Sequence, residues 1–307
     1  MKIALFGGSF NPVHNGHIQA AEKVLENTPF EQVWFLPCYV HAFKKNHGFA
    51  SEQDRLEMLK IALQGRRRME LSLFEIELGK KNKKENRTLE TVRAIRKKFP
   101  QHEFAWVIGS NLVKEMKRWA GFKELIKETR FIIVPIKGNQ GWKKEKWLEQ
   151  NNAIILPKKA SVKSISSSKV RELLGKGKPV KDLLPPPVEE YIRRKMLYFS
   201  EKDFDRRVYK ATAQIPKGRV STYKEIAIAV GKPKAFRAVG NALNKNPFAP
   251  RIPCHRIVKS SGETGGFSAG TQKKEKMLKK EGIPVKNHKI ENFNKFIVKA
   301  QELKKQN

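Results

Sequence analysis

The sequence predicts an α/β fold in two parts: a doubly wound domain with a parallel sheet over residues 1–198, then a small, mainly helical domain with a helix-turn-helix over 203–290. Three observations lead there. β-type apolar runs alternate with helical patterns through the first 200 residues; the alternation stops near residue 198; and two short helical patterns joined by Gly231-Lys232-Pro233-Lys234 follow. The length of 307 residues agrees, since about 150 residues is the prior for one domain.

Each element has its own warrant. The runs IALF, QVWFLP, FAWVIG and RFIIVPI are strand-like, and HIQAAEKVLEN, SEQDRLEMLKIALQG and FKELIKET are helix-like between them, the signature of βαβ units. Gly79 to Arg87, rich in lysine and asparagine without periodicity, reads as a solvated loop, and Gly138 to Asn152 as a surface helix or loop. Pro185-Pro186-Pro187 stops one helical segment, and Val188 to Leu197 is a short helix closing the domain. The boundary falls at Tyr198 to Lys202. Beyond it come DFDRRVYKATAQI, STYKEIAIAVG, KAFRAVGNALNKN and a final KKEKMLKKEG helix. Ser221 fits an N-cap, and Gly231 the left-handed residue that ends a helix. Residues 291–307 read as a tail or a docking helix.

Composition narrows the class. Hydrophobic residues make up 39% of the chain, enough for packed cores, and no stretch of eighteen apolar residues predicts a membrane span. The N-terminus lacks the pattern of a signal peptide, so the expectation is a cytoplasmic protein without a membrane partner. Two cysteines, Cys38 and Cys254, exclude a disulfide framework and a structural zinc cluster, and Cys38 reads as a small hydrophobe at a strand end. A net charge of +34 predicts attraction to polyanions. Residues 201–307 carry 25 Lys+Arg against 9 Asp+Glu, a net +16, which leaves +18 for the first 200, so the basicity is denser in the last third without being confined there.

Two strings carry chemistry. In the first, strand-like Lys2 to Phe6 runs into GGSFNPVHNGH. Strand, glycine turn and helix form a phosphate-binding arrangement, because free amides and the helix dipole favour anionic oxygens. Gly7, Gly8 and Ser9 let backbone approach a nucleotide. His14 and His17, three apart on the first helical turn, present two imidazoles to one phosphate group and suit charge developing on a phosphoryl in flight. The string is neither GxGxxG nor Walker A, which disfavours a dinucleotide clamp or a P-loop.

GGSFNPVHNGH resembles the nucleotidylyltransferase superfamily, and within it nicotinate (or nicotinamide) mononucleotide adenylyltransferase, over roughly residues 1–198. The resemblance implies a Rossmann-like fold and transfer of the adenylyl group from ATP to a mononucleotide. ATP would arrive with Mg²⁺ held by phosphates and water, with no protein-bound metal. It also implies ATP contacts at Gly7, Gly8, Ser9, Phe10, His14, His17, Gly109 and Asn111, and at Ser167, Ser168 and Arg171 of ISSSKVREL, which resembles the family's late ISSTxIR element. Lys44, Thr88 and Trp119 would meet the mononucleotide, Trp119 by stacking on the pyridine ring. Asn111 stands where the family's IGAD segment has aspartate, so a charge-assisted bond is weakened there. Pantetheine-phosphate adenylyltransferases share the histidine motif but match Trp119 and ISSS less well.

The second string, IPCHRI, places Cys254 before His255 and Arg256. A thiol of ordinary pKa, about 8.5, becomes a good nucleophile only where neighbours favour the thiolate. IPKGRVSTYKEIA, RAVGNALNKNP, IPCHRIV, GGFSAG and KMLKKEG, in that order from about Phe204 to Val285, resemble the active-site domain of O6-alkylguanine-DNA alkyltransferases. That family moves an alkyl group from O6 of guanine in double-stranded DNA irreversibly onto its cysteine. The resemblance implies Cys254 as acceptor, His255 as base and Glu281 as the group orienting it. Tyr223 would rotate the target phosphate and donate a proton, Arg237 would fill the vacated stack, and Asn246 would tie the recognition helix to the cysteine loop. Arg256 and Ser268 would contact DNA, and Lys232, Lys234, Lys245 and Arg251 would add phosphate binding. Cys254 argues against the non-catalytic alkyltransferase-like proteins, which lack the thiol. A different reading treats this module as a DNA-damage binder and the first domain as a degenerate nucleotide sensor.

Overall fold

The structure, a computed structural model, describes residues 1–39, 50–176, 178–198, 204–246, 248 and 252–304. Lys44, Arg251 and the boundary positions 199–202 lie outside the described residues. The chain forms two compact units, Met1–Tyr198 and Phe199–Asn307.

The first unit alternates strand and helix: β1 Lys2–Gly8, α1 Asn15–Asn27, β2 Gln32–Pro37, α2 Glu52–Leu63 and β3 Met69–Leu71. Then come α3 Phe74–Asn82, α4 Thr88–Lys98, β4 Glu103–Gly109, α5 Phe122–Glu128, β5 Arg130–Val134, α6 Trp147–Gln150, β6 Ile154–Ile155, α7 Ser167–Gly175 and α8 Pro186–Lys195. The six strands form one parallel sheet in the order β3-β2-β1-β4-β5-β6, with Ile3 opposite Gln32 on one side of β1 and Lys2 opposite Glu103 on the other. In such a sheet both faces need helical cover, which is why the strands read as nearly continuous apolar runs. One core layer joins Ala4, Phe6, Val33 and Phe35 to α1, α2, α7 and α8; the other joins Ile3, Leu5, Phe104 and Trp106 to α4 and α5. The strand order reverses between β1 and β4, so their C-terminal ends open the crevice where ligands of doubly wound sheets bind.

Three sequence expectations need correction. Gly79–Asn82 is the last turn of α3, not loop, because Gly79 packs against Tyr39, and a Cβ there would lie 2.6 Å from that side chain. Gly138 to Asn152 is not merely a surface stretch: Trp142 and Trp147 are buried, and Trp147 meets Phe122 and Phe131 edge to face. The proline run starts a helix as well as ending a pattern, since Pro186 and Pro187 occupy the first positions of α8, where no amide hydrogen is needed.

The second unit holds α9 Phe204–Ala213, β7 Ser221–Thr222, α10 Tyr223–Ala229, α11 Phe236–Asn244, β8 Ile257–Val258 and α12 Thr271–Lys280. A hairpin of β9 Val285–Lys286 and β10 Lys289–Ile290 follows, then α13 Phe293–Phe296 and α14 Ala300–Lys304. The N-cap of α10 is Thr222, whose hydroxyl accepts from the Glu225 amide, rather than Ser221, which pairs in β7 beside β8. Gly231 ends the helix with φ +75°, as expected. Helices α10 and α11 pack as the helix-turn-helix, and the segment after residue 291 docks on the same unit: Val298 N–H donates to Val220 O at 2.7 Å and Ala300 N–H to Glu225 Oε2 at 2.8 Å. No helix among the described residues is long and apolar enough to cross a membrane.

Candidate active sites

At the C-terminal end of β1 the chain turns through Gly7 to His14 into α1. A Cβ at Gly7 would strike the Trp106 ring, so that glycine serves close packing of β1 on β4 as much as approach by a ligand. Phe10 is 1% exposed and packs edge to face on Phe6 and His17, which leaves only its backbone to meet a nucleotide. His14 is the N-cap of α1 and its amide donates to His17 Nδ1 at 3.2 Å. The two imidazoles stack, with ring centroids 3.6 Å apart and planes 19° from parallel. Burial pushes His14 down to about 4, and burial together with the His14 charge holds His17 well below its ordinary value, so both rings are neutral at pH 7. Buried His14 Nδ1 has no hydrogen-bond partner, a polar atom that a ligand oxygen would satisfy.

The late serine element is brought to this turn. Ser167 Oγ donates to Pro12 O at 2.9 Å, and Arg171 donates to Asn11 O at 2.7 Å and to Ser168 Oγ at 3.3 Å. Burial lowers the Arg171 pKa. Asn111 is exposed just beyond the end of β4, and a Cβ on Gly109 would lie 2.5 Å from its Oδ1. Ser9 is half-buried on the same turn, its carbonyl accepting from Arg55 at 2.9 Å. Thr88, the first residue of α4, and Trp119, packed at the edge of the second core layer, are half-buried, and among the described residues no hydrogen bond or ring contact joins either to the histidine pair.

Sequence reasoning missed three residues that hold this turn. Arg55, 6% exposed, donates to Ser9 O and Cys38 O at 2.9 Å each. Asn11 Oδ1 accepts from Tyr198 Oη at 2.7 Å and from the Ala50 amide at 3.0 Å. A signal for Arg55 existed: it precedes Met58, Leu59 and Ala62 at the spacing of one buried helix face. Cys38 is half-buried beyond β2, and burial raises its thiol to about 11, which makes it a poor nucleophile.

In the second unit Pro253 leads into a single 3₁₀ turn, Cys254–Arg256, that feeds β8. Cys254 is half-buried; Asn246 Nδ2 donates to its sulfur at 2.7 Å and to Ile252 O at 3.3 Å, which ties the end of α11 to the cysteine loop. Burial raises the thiol, opposed by the Asn246 bond and by the Lys274 charge. His255 Nε2 and Glu281 Oε1 lie 2.9 Å apart. Burial lowers the His255 pKa more than Glu281 raises it, so the ring is a neutral base. Burial would raise Glu281, but the bonds from Arg256 and His255 outweigh it and hold the carboxyl at about 2. Tyr223 opens α10; burial and then the Cys254 charge raise its phenol. Arg237 and Ser268 are exposed.

Arg256 corrects the sequence reading. Its Nε and one Nη donate to Glu281 at 2.8 Å each and the other Nη to Ile215 O at 2.7 Å, so the guanidinium is spent inside the fold and not on DNA. Lys274 was missed altogether: it is 0% exposed, its Nζ donates to Ile257 O at 2.6 Å and Gly266 O at 3.2 Å, and burial lowers it to about 8 while Cys254 raises it. In a KKEK run it reads as one more solvated lysine.

A neutral imidazole pair at the switch point of a doubly wound sheet, pinned by a second helix start, marks the first unit as a nucleotide-binding α/β protein. The second unit is a helix-turn-helix module built around one cysteine. The cytidylyltransferase-like family model matches residues 5–173, and that of the 6-O-methylguanine DNA methyltransferase DNA-binding domain matches 203–283. A probable nicotinate-nucleotide adenylyltransferase of Methylacidiphilum infernorum is 34% identical over 201 residues, 66% of this chain and 94% of that one. The Bacillus subtilis nicotinate-nucleotide adenylyltransferase is 29% identical over 199 residues, 65% of this chain and 99% of its own. Plasmodium falciparum nicotinic acid mononucleotide adenylyltransferase complexed with NaAD shares the fold, with a TM-score of 0.54 at 20% identity over 64% of this chain and 97% of that one. The chain belongs to the nicotinate-nucleotide adenylyltransferase family, and its second unit is homologous to the DNA-binding domain of O6-methylguanine methyltransferases.

Proposed function

We propose that the protein carries two activities: adenylyl transfer from ATP to nicotinate mononucleotide, and irreversible transfer of an alkyl group from O6 of guanine in DNA to Cys254. The observation that carries the first is the stacked, neutral pair of His14 and His17, with the Ser167 and Arg171 element bonded to the same turn. A mononucleotide phosphate oxygen attacks the α-phosphorus of ATP; the new P–O bond forms as the bond to the β-phosphate oxygen breaks, and pyrophosphate leaves. Mg²⁺ comes with ATP as part of the substrate, held by phosphates and water. The imidazoles donate to the phosphoryl oxygens as charge builds, and Arg171 neutralises the triphosphate. Lys44, Thr88 and Trp119 are the proposed mononucleotide contacts. Pyrophosphate release with ATP and nicotinate or nicotinamide mononucleotide tests this; silence with both rejects it.

The second activity rests on two hydrogen-bonded pairs, Asn246 with Cys254 and His255 with Glu281, meeting at the single 3₁₀ turn that carries both Cys254 and His255. His255 takes the thiol proton through water, the sulfur attacks the alkyl carbon, the C–O6 bond breaks, and Tyr223 protonates the departing guanine. Arg237 fills the stack left by the extruded base. Incubation with a duplex containing O6-methylguanine should add one methyl to the Cys254 peptide, read by mass. An unmodified peptide from protein that still binds the duplex would instead support a damage binder, which the raised thiol favours; Asn111 favours only the companion reading of the first unit as a degenerate nucleotide sensor.

A further inference from the structure

Four large hydrophobic residues are exposed among the described residues, Met1, Leu73, Ile155 and Phe236, and Phe236 is the aromatic one, at 46% exposure. It is the first residue of α11. The buried face of that helix is Val239, Ala242 and Leu243, so Phe236, three residues before Val239, sits where it would extend the core yet is left in solvent. Lys232 and Lys234 just before it and Arg237 just after it are exposed, and residues 231–246 include no acidic side chain. One turn on, Gly240 faces Tyr223, whose ring would lie 3.8 Å from a Cβ there. On the helix Gly240 falls between Phe236 and Arg237, so the ring and the guanidinium flank the strip of α11 that faces Tyr223.

We propose that Phe236 is a DNA-binding residue of this chain: an apolar wedge that packs on the base pair beside the extruded guanine while Arg237 occupies the vacated step. The proposal rests on the DNA reading of the second unit. The charge around the ring suits a polyphosphate partner, and apolar side chains that face duplex DNA insert between base steps and unstack them. An aromatic ring is suited to the exposed face of a neighbouring base.

The test uses the full chain and a duplex carrying O6-methylguanine with 2-aminopurine as its neighbour. Affinity is measured from low to high salt for the wild type, Phe236→Ala and Phe236→Trp, with thermal unfolding as the check on folding. Phe236→Ala is expected to bind about tenfold more weakly. Its salt slope should be unchanged, because no phosphate contact is lost. The 2-aminopurine brightening seen with wild type should vanish, and Phe236→Trp should restore both. Equal affinity and equal brightening for Phe236→Ala would overturn the proposal, as would a loss that flattens the salt slope. If the wild type itself fails to bind the duplex, the DNA reading falls and this inference with it, an outcome distinct from failure of the variant alone.

Discussion

Glu281→Gln isolates the charge at the centre of the second site. In the native fold this carboxylate takes two bonds from Arg256 and one from His255, at 2.8, 2.8 and 2.9 Å, with its side chain 12% exposed. Glutamine keeps the shape but replaces one acceptor oxygen with a donor, so an N–H must point at another N–H and the guanidinium loses its counter-charge. A carboxyl held at about 2 against an ordinary 4.5 corresponds to roughly 3 kcal/mol, at 1.36 kcal/mol per pH unit. Breaking a buried pair costs about 3–5 kcal/mol, in agreement. With a urea slope of about 1.5 kcal/mol/M for a unit of this size, the midpoint should drop by about 2 M. All five tryptophans lie in the first unit, so their fluorescence monitors that unit alone, while pulsed hydrogen exchange on α12 peptides follows the second. The α12 transition should move and the tryptophan transition should not. The carboxyl is lower in the folded state, so its contribution is complete above about 4.5 and disappears as pH falls towards about 2; in the variant that pH dependence should be gone. An α12 midpoint within about 0.3 M of wild type would refute the reasoning, since the slope converts it to under about 0.5 kcal/mol.

Replacing either His14 or His17 with alanine is expected to lower the pyrophosphate release rate by about 10²–10³, as loss of one transition-state donor does elsewhere. Because burial lowers His14 to about 4 from 6.5, stability of the first unit should be full above 6.5 and fall as pH drops through 4, read by tryptophan fluorescence; a flat profile over that window would contradict the buried neutral ring. ATP should blunt this acid loss, because its phosphates favour the imidazolium. Lys274→Met should raise the apparent pKa of Cys254 alkylation by iodoacetamide by about 1 unit, the effect of removing one nearby opposite charge. Asn111→Asp should raise kcat/KM for the mononucleotide about fivefold through a charge-assisted bond, with KM for ATP unchanged.

The strands, the helices around them and the two chemical strings were legible from residue order alone, because they depend on local periods: two for strands, 3.6 for helices, and glycine before a helix start for an anion cradle. That is why His14, His17 and Cys254 stand out unaided. The partners of those groups lie far along the chain. Ser167 and Arg171 reach Pro12 and Asn11 across more than 150 residues, and Glu281 reaches His255 across 26, distances at which composition carries no geometric information.

What only the tertiary structure decided is the direction in which charged and aromatic side chains turn. Arg256, Lys274 and Arg55 look like surface cations in sequence, yet each is drawn inward, because carbonyl and carboxylate oxygens left unpaired at a turn cost more than desolvating a cation that satisfies them. Trp142 and Trp147 lie in a lysine-rich stretch but are buried, since Phe131 and Ile133 on one face of β5 offer apolar surface no local pattern reveals. Phe236 goes the other way, an aromatic residue left outside where helix periodicity alone would fold it in. Residue order determined which elements form and where reactive groups begin; packing determined which charges are free to meet a substrate.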